Sequence, residues 1–92
     1  MITAIVLINA EVNRIPEVAQ ELAELEGITE VYSVTGGCDL IAMVRVSQHE
    51  DFADVIADRI NKTQGVLSTD THIAFRTYGT TDLEAAFSIG LD

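Results

Sequence analysis

The chain has 92 residues, which is enough for one domain and near the lower limit for a core that is stable by itself. Fifteen acidic residues against five scattered basic ones give a formal net charge of −10, so direct binding to nucleic acid is not expected. Apolar residues make up 48% of the chain and the mean hydropathy is +0.26, yet no apolar run approaches the roughly 18 residues of a membrane helix. The excess apolar surface is therefore expected to meet another protein.

The chain contains one cysteine, Cys38, which cannot form an internal disulfide. The N-terminus lacks the basic region and the cleavage site of a signal peptide. Both features favour a reducing cytoplasm, where Cys38 is expected to pack as a small apolar residue.

The first strand is predicted over Ile2 to Ala10, which is apolar at both odd and even positions and rich in β-branched residues. Such a segment is typical of a strand buried on both faces. A helix follows, with Asn13 as its predicted cap and Pro16 in its first turn, and Gly27 ends it. This helix is expected to cover one face of a sheet.

Two further strands are predicted over Ile28 to Val34 and Asp39 to Val46, joined by a turn that contains Gly36 and Gly37. Adjacent glycines keep side chains off the backbone and leave peptide N–H groups open to a partner. Such donors could hold the carboxylate of a free amino acid, and Asp39 could hold its ammonium group. The alternative is an ordinary hairpin turn in which Asp39 is a local cap.

The second helix is predicted to begin at a capping box, Ser47 to Glu50, and to end between Lys62 and Gly65. The fourth strand is predicted over Val66 to Tyr78, and its polar side marks either a sheet edge or a site. A short amphipathic helical tail is predicted from Thr81 or Asp82 onwards, docked through its apolar residues.

Two βαβ units joined at the glycine turn predict an α+β fold, a ferredoxin-like βαββαβ sandwich of the dimeric α/β-barrel type. Right-handed crossovers place both helices on one face of the sheet. Because the first and third strands are apolar on both sides, the other face needs a cover. A face-to-face homodimer is the simplest one.

The turn Val34-Thr35-Gly36-x-x-Asp39 between strands two and three, with Gly65-Val66-x-x-Thr69-x-Thr71 opening the last strand, resembles the Lrp/AsnC family of transcriptional regulators. The resemblance is to their effector-binding (RAM) domain and makes residues 1–92 a single such domain. Full-length members carry an N-terminal helix-turn-helix, so the sequence is interpreted as a stand-alone member.

The resemblance implies homodimers that assemble further and hold a small-molecule effector, usually an amino acid, between dimers. It implies no cofactor, no metal and no catalytic residue. Two walls of the ligand site follow from the motif, the glycine turn and the last strand. The implied ligand-binding residues are Thr35, Gly36, Gly37, Asp39, Thr69, Thr71, His72, Ile73 and Ala74.

The leading interpretation is an oligomeric small-molecule sensor that acts in transcriptional regulation through its assembly or through partner regulators, without direct nucleic-acid or membrane binding. One alternative is a dimeric α+β-barrel enzyme of the small monooxygenase or isomerase type, with an enclosed pocket beside His72 or Tyr78. Another is a structural partner that forms mixed oligomers with full-length regulators.

Overall fold

Four strands and two helices lie within residues 1–79, which are the residues that the computed structural model describes. Their order is β1 (Ile2–Ala10), α1 (Ile15–Ala23), β2 (Ile28–Ser33), β3 (Leu40–Val46), α2 (Ala53–Ile60) and β4 (Val66–Ile73), and α2 is wound as a π-helix. The strands form one antiparallel sheet in the order β2-β3-β1-β4. The predicted ferredoxin-like fold is confirmed.

The core lies between the two helices and one face of the sheet. Side chains at even positions of β1 and β3 point into it, because successive side chains of a strand alternate between faces. Both helices contribute to the same cluster, so both cover the same face, as predicted. The fully buried members are Ala4, Val6, Ile8, Val18, Leu22, Leu40, Ala42, Val44 and Ile60.

Gly27 and Gly65 occupy equivalent places, each between the end of a helix and the start of a strand, and have φ of 95° and 100°. Each also packs against the opposite helix. A Cβ on Gly27 would lie 2.8 Å from Cγ2 of Val55 in α2, and a Cβ on Gly65 would lie 2.6 Å from Cγ2 of Val18 in α1. Both positions therefore need glycine for the backbone angle and for the close approach of a helix.

The predicted start of the first helix is wrong. Asn13 lies within a 3₁₀ turn, Val12–Arg14, which precedes α1, and the helix begins with no side-chain cap. The turn is held by backbone bonds instead, from the Arg14 N–H to the Glu11 carbonyl at 2.9 Å and from the Glu11 N–H to the Gly65 carbonyl at 2.8 Å. The entry to α1 is thus fixed by the backbone of a distant turn.

The predicted capping box of the second helix is also wrong, because the side chain that reaches back belongs to Asp51. Its Oδ2 accepts the Gln48 N–H at 3.3 Å. The capping contact is therefore formed by Gln48 and Asp51, one residue beyond the predicted Ser47 to Glu50 box. The helix α2 itself begins at Ala53.

The last strand is shorter than predicted and ends at Ile73 instead of Tyr78. Its neighbour β1 begins at Ile2, and the Ala74 N–H donates to the Thr3 carbonyl at 2.9 Å. Beyond that bond β1 has only Ile2 left for pairing, so the chain leaves the sheet. Phe75 is accordingly 94% exposed. The predicted C-terminal helix lies outside the described residues.

Within residues 1–79, the chain forms no helix of the length and apolar character that crossing a membrane would require.

Candidate functional site

The glycine turn is closed by a bond from the Val34 N–H to the Asp39 carbonyl at 3.1 Å. Gly36 has φ of 114°, and no atom lies within 4 Å of the place where a Cβ would stand on Gly36 or Gly37. The N–H groups of residues 35–38 donate to no acceptor in the part of the chain that the structure describes. The turn therefore presents accessible peptide donors, as the sequence predicts.

Asp39 anchors this turn to the end of β1. Its N–H donates to the Ile8 carbonyl and its carboxylate Oδ2 accepts the Ala10 N–H, both at 2.9 Å. One carboxylate oxygen is thus engaged in holding the turn against β1. Ammonium binding by Asp39 stays a prediction, and any such contact shares the carboxylate with this structural bond.

Replacing Asp39 with alanine is expected to destabilise the fold, because Ala10 is 2% exposed and its N–H would lose its acceptor. A buried donor without a partner costs about 1–3 kcal/mol, which urea denaturation measures. Asp39→Asn keeps an oxygen at the same place and is expected to lose less than about 1 kcal/mol. Equal losses in the two variants would contradict the anchoring role.

A cavity of about 280 Å³ lies between the turn, β1 and β4. The sheet order brings these segments together, since Asn9 pairs with Ser68 and donates from Nδ2 to its Oγ at 3.2 Å. The wall of the cavity consists of Leu7 and Asn9 from β1, Gly37 and Cys38 from the turn, and Ser68, Thr69 and Asp70 from β4. We call it the turn cavity.

Two of the nine residues implied by the resemblance, Gly37 and Thr69, line the turn cavity. Thr35, Gly36 and Asp39 belong to the same turn but lie outside that wall. Thr69 also donates from Oγ1 to Asn61 Oδ1 at 2.9 Å, which ties β4 to the end of α2.

The other four implied residues lie farther along β4. Thr71, His72 and Ile73 pair with Val6, Ile5 and Ala4 of β1, and Ala74 follows directly. Four residues of strand span about 13 Å, so within one chain Ile73 and Ala74 are far from the turn. These two line a separate cavity of about 290 Å³ beside Met1 and His49.

Five residues of the turn cavity, Leu7, Asn9, Cys38, Ser68 and Asp70, are missing from the set predicted by sequence. Cys38 belongs to the turn itself, and the other four are on β1 and on the even side of β4, where the strand pairing brings them under the turn. The available signal is that Asn9 interrupts an otherwise apolar strand near its end. The Asp70 carboxylate has one polar side-chain contact among the described residues, with its Oδ2 3.3 Å from His72 Nε2.

A larger cavity, of about 420 Å³, lies at the opposite end of the sheet. Arginine and aspartate side chains line it together, Arg45 and Arg59 with Asp51 and Asp54. None of the residues implied by the resemblance belongs to it. Glu26 lines it as well, so its wall mixes three acidic with two basic side chains and offers less selectivity for a charged ligand than a cavity with one sign of charge.

The sheet face opposite the helices carries an aliphatic centre, which we call the open face. Leu7 pairs with Ile41 and Ile5 pairs with Met43 across β1 and β3, and all four are only half-buried in the single chain. Charged and polar side chains border this centre on the outer strands, Glu30 and Tyr32 on β2 and Asp70 and His72 on β4. An apolar centre with a polar rim is typical of a protein interface.

Glu30 and Tyr32 form a hydrogen-bonded pair on this rim, in which the Tyr32 hydroxyl donates to Glu30 Oε2. The hydrogen bond to the Glu30 carboxylate raises the pKa of the Tyr32 phenol above its ordinary value. Desolvation and the negative charge of Glu30 raise this pKa further by smaller amounts. Tyr32 therefore acts here as a neutral hydrogen-bond donor.

Within residues 1–79, no group of three or more His, Cys, Asp or Glu side chains is arranged to hold a metal ion. The cavity beside His49 and Ala74 has neither His72 nor Tyr78 in its wall. Neither residue lines the other two cavities described above.

Comparison with known families gives a match over most of the chain, to the model described as the Lrp/AsnC ligand binding domain, at residues 3–83. An HTH-type transcriptional regulator from Pyrococcus furiosus is 32% identical over 72 residues, which are 78% of this chain and 49% of that protein. The chain thus spans about half the length of this curated relative.

Among solved structures, TTHA0845 from Thermus thermophilus is similar with a TM-score of 0.82 and 46% identity, over 86% of this chain and 99% of that one. The feast or famine regulatory protein from M. tuberculosis, complexed with L-methionine, has a TM-score of 0.72 and 24% identity over 88% and 54% of the two chains. This second likeness concerns the fold alone.

Proposed function

The chain belongs to the Lrp/AsnC ligand-binding domain family, and from this we propose that it is an oligomeric amino-acid sensor acting in transcriptional regulation. The resemblance inferred from the turn motif is confirmed, and so is the expectation of a regulatory domain instead of an enzyme, because the relatives are transcriptional regulators. What we propose beyond the family is an amino-acid ligand, an oligomeric assembly and partner regulators.

The turn cavity is the observation that carries the ligand proposal. It joins accessible peptide N–H groups on one side to the polar side chains of Asn9 and Ser68 on the other. The peptide N–H groups suit the carboxylate of a free amino acid, and the side-chain oxygens of Asn9 and Ser68 suit its ammonium group. The L-methionine complex of a protein with the same fold supports this class of ligand.

A homodimer through the open face supports such a site. The four central side chains, Ile5, Leu7, Ile41 and Met43, are only partly buried in the single chain. Leu7 also lines the turn cavity, so a second copy seated on this face would stand beside the cavity and narrow its access to water. Ligand binding and assembly would then be coupled, because the ligand stabilises the state in which its cavity is better enclosed.

The charge of the chain supports action through other proteins. A net charge of −10 repels the phosphate backbone, so this domain is proposed to act in the cytoplasm on transcription through DNA-binding relatives and not by touching an operator. Mixed assembly with such a relative requires only that its domain presents a matching sheet face.

The experiment that tests the proposal is isothermal titration of the protein with each of the twenty amino acids. We expect heat of binding for at least one. Ser68→Phe, which fills the turn cavity from an exposed strand position, is expected to weaken that binding about 10- to 100-fold.

The matched control is Ser33→Phe, an exposed strand serine outside the cavity wall, which is expected to leave the affinity within about twofold. No heat with any amino acid, or equal weakening by both variants, would contradict the proposed site.

A further inference from the structure

Among the described residues, Asp70 is the only one with a charged side chain in the wall of the turn cavity. The remaining polar groups of the wall are neutral: the Asn9 amide, the Ser68 and Thr69 hydroxyls and the Cys38 thiol. No lysine or arginine lines the cavity within residues 1–79, and the whole chain carries a net charge of −10. The electrostatic potential of the cavity is therefore negative.

A zwitterionic amino acid leaves this charge uncompensated, because its own carboxylate and ammonium cancel. A ligand with one further positive charge neutralises it, whereas an acidic side chain brings a second negative charge beside Asp70. The negative charge of the wall thus favours amino acids with cationic side chains over those with acidic ones. This preference does not depend on which groups hold the α-carboxylate and α-ammonium of the ligand.

The shape of the wall agrees with this selection. Leu7 supplies an apolar surface next to Asp70, with which it pairs across β1 and β4. The methylene groups of a long side chain can pack on Leu7, and a cationic group at its end can reach the carboxylate of Asp70. The turn with Gly37, on the other side of the cavity, leaves its peptide donors for the ligand carboxylate.

We propose that the turn cavity selects amino acids with a cationic side chain, and that Asp70 determines this selection. The inference rests on the proposed sensing function and adds the class of ligand to it. The contact from His72 Nε2 to Asp70 Oδ2 at 3.3 Å leaves the second carboxylate oxygen available for the ligand and holds the first in place.

The size of the expected effect follows from the exposure of Asp70, whose side chain is 71% exposed in the single chain. Solvent screens a charge pair at such a position, so its contribution lies between that of a surface pair and that of a desolvated charge-assisted bond. We expect L-lysine to bind about tenfold more tightly than L-norleucine, which lacks only the side-chain amino group.

The test is isothermal titration of the full chain with L-lysine, L-norleucine and L-glutamate at one pH and one ionic strength. The wild type is expected to bind lysine in preference to norleucine and to bind glutamate most weakly. Asp70→Asn keeps the shape of the side chain and removes its charge, so it is expected to bring lysine and norleucine within about twofold of each other.

The matched control is Asp58→Asn, which removes the same charge from an exposed position on α2, where Asp58 lies 3.8 Å from Lys62. It is expected to keep the preference for lysine. Equal binding of lysine and norleucine by the wild type, or an unchanged preference in Asp70→Asn, would overturn the selection and leave the sensing function standing. Absence of heat with all twenty amino acids would overturn both.

Discussion

Ile41→Asp is expected to convert the proposed dimer into a folded monomer. Ile41 lies at the centre of the open face, between Leu7 on β1 and Tyr32 on β2. Because Ile41 is already partly buried in the single chain, the main cost is that of burying an unpaired aspartate carboxylate, about 1.5–3 kcal/mol, and this cost counts twice in a symmetric dimer. The combined loss of about 3–6 kcal/mol raises the dissociation constant of the dimer about 10²- to 10⁴-fold, which sedimentation equilibrium measures.

The control for this variant is Ala57→Asp, which adds the same charge at an exposed position on α2, on the opposite side of the molecule. It is expected to remain dimeric. Ile41→Thr keeps a β-branched residue in the strand and should weaken the dimer by an intermediate amount. If Ile41→Asp were to sediment like the wild type, the open face would not be the dimer interface.

Gly65→Ala is expected to lower the free energy of unfolding by about 2–5 kcal/mol. Two costs add. A residue with a Cβ at φ of 100° is strained by about 1–2 kcal/mol, and the new atom would lie 2.6 Å from Val18 Cγ2, which forces α1 outward at about 1–3 kcal/mol. Urea denaturation at a fixed protein concentration measures the loss.

Gly37→Ala is the matched control, because Gly37 has no positive φ and a Cβ there meets no atom within 4 Å. The expected change is less than about 0.5 kcal/mol. A loss at Gly37 as large as at Gly65 would contradict this explanation, because at Gly37 it could come neither from a positive φ nor from a contact such as that with Val18.

The fold could be predicted from sequence because several independent local signals agreed. The apolar character of β1 at both odd and even positions indicated an inner strand of the sheet, and the polar side of β4 predicted an edge or a site; the strand order places β1 inside and β4 at an edge. Gly27 and Gly65 marked equivalent helix-to-strand junctions, and both have positive φ. Agreement across such levels is what makes a sequence specify one fold.

Two of the errors concern segments whose ends are set by distant partners. The bond from Glu11 to Gly65 fixes the entry to α1, and the start of β1 decides where β4 ends. Local patterns of residues contain none of this information. The error at α2 is local, because the side chain that reaches back to the Gln48 N–H is Asp51 and not Glu50.

The turn was predictable as a candidate site because its glycines and Asp39 stand together in the chain. The residues that β1 contributes to the cavity could not be predicted. Asn9 and Ser68 are 59 positions apart in the chain and meet only because β1 and β4 pair in this register. Asp70 was predicted as part of a polar strand side, and only the sheet order shows that it faces the turn. Residues of a cavity that are assembled by strand pairing require the pairing to be known.

The measurement that tests the central claim most directly is an isotope-filtered NOE experiment on a mixture of methyl-labelled and unlabelled copies. Pairing through the open face predicts NOEs between copies for the methyl groups of Ile5, Leu7, Ile41 and Met43, whose side chains are only partly buried in the single chain. NOEs between copies that arise only from the helices, or none at micromolar concentration with the chain folded, would contradict it.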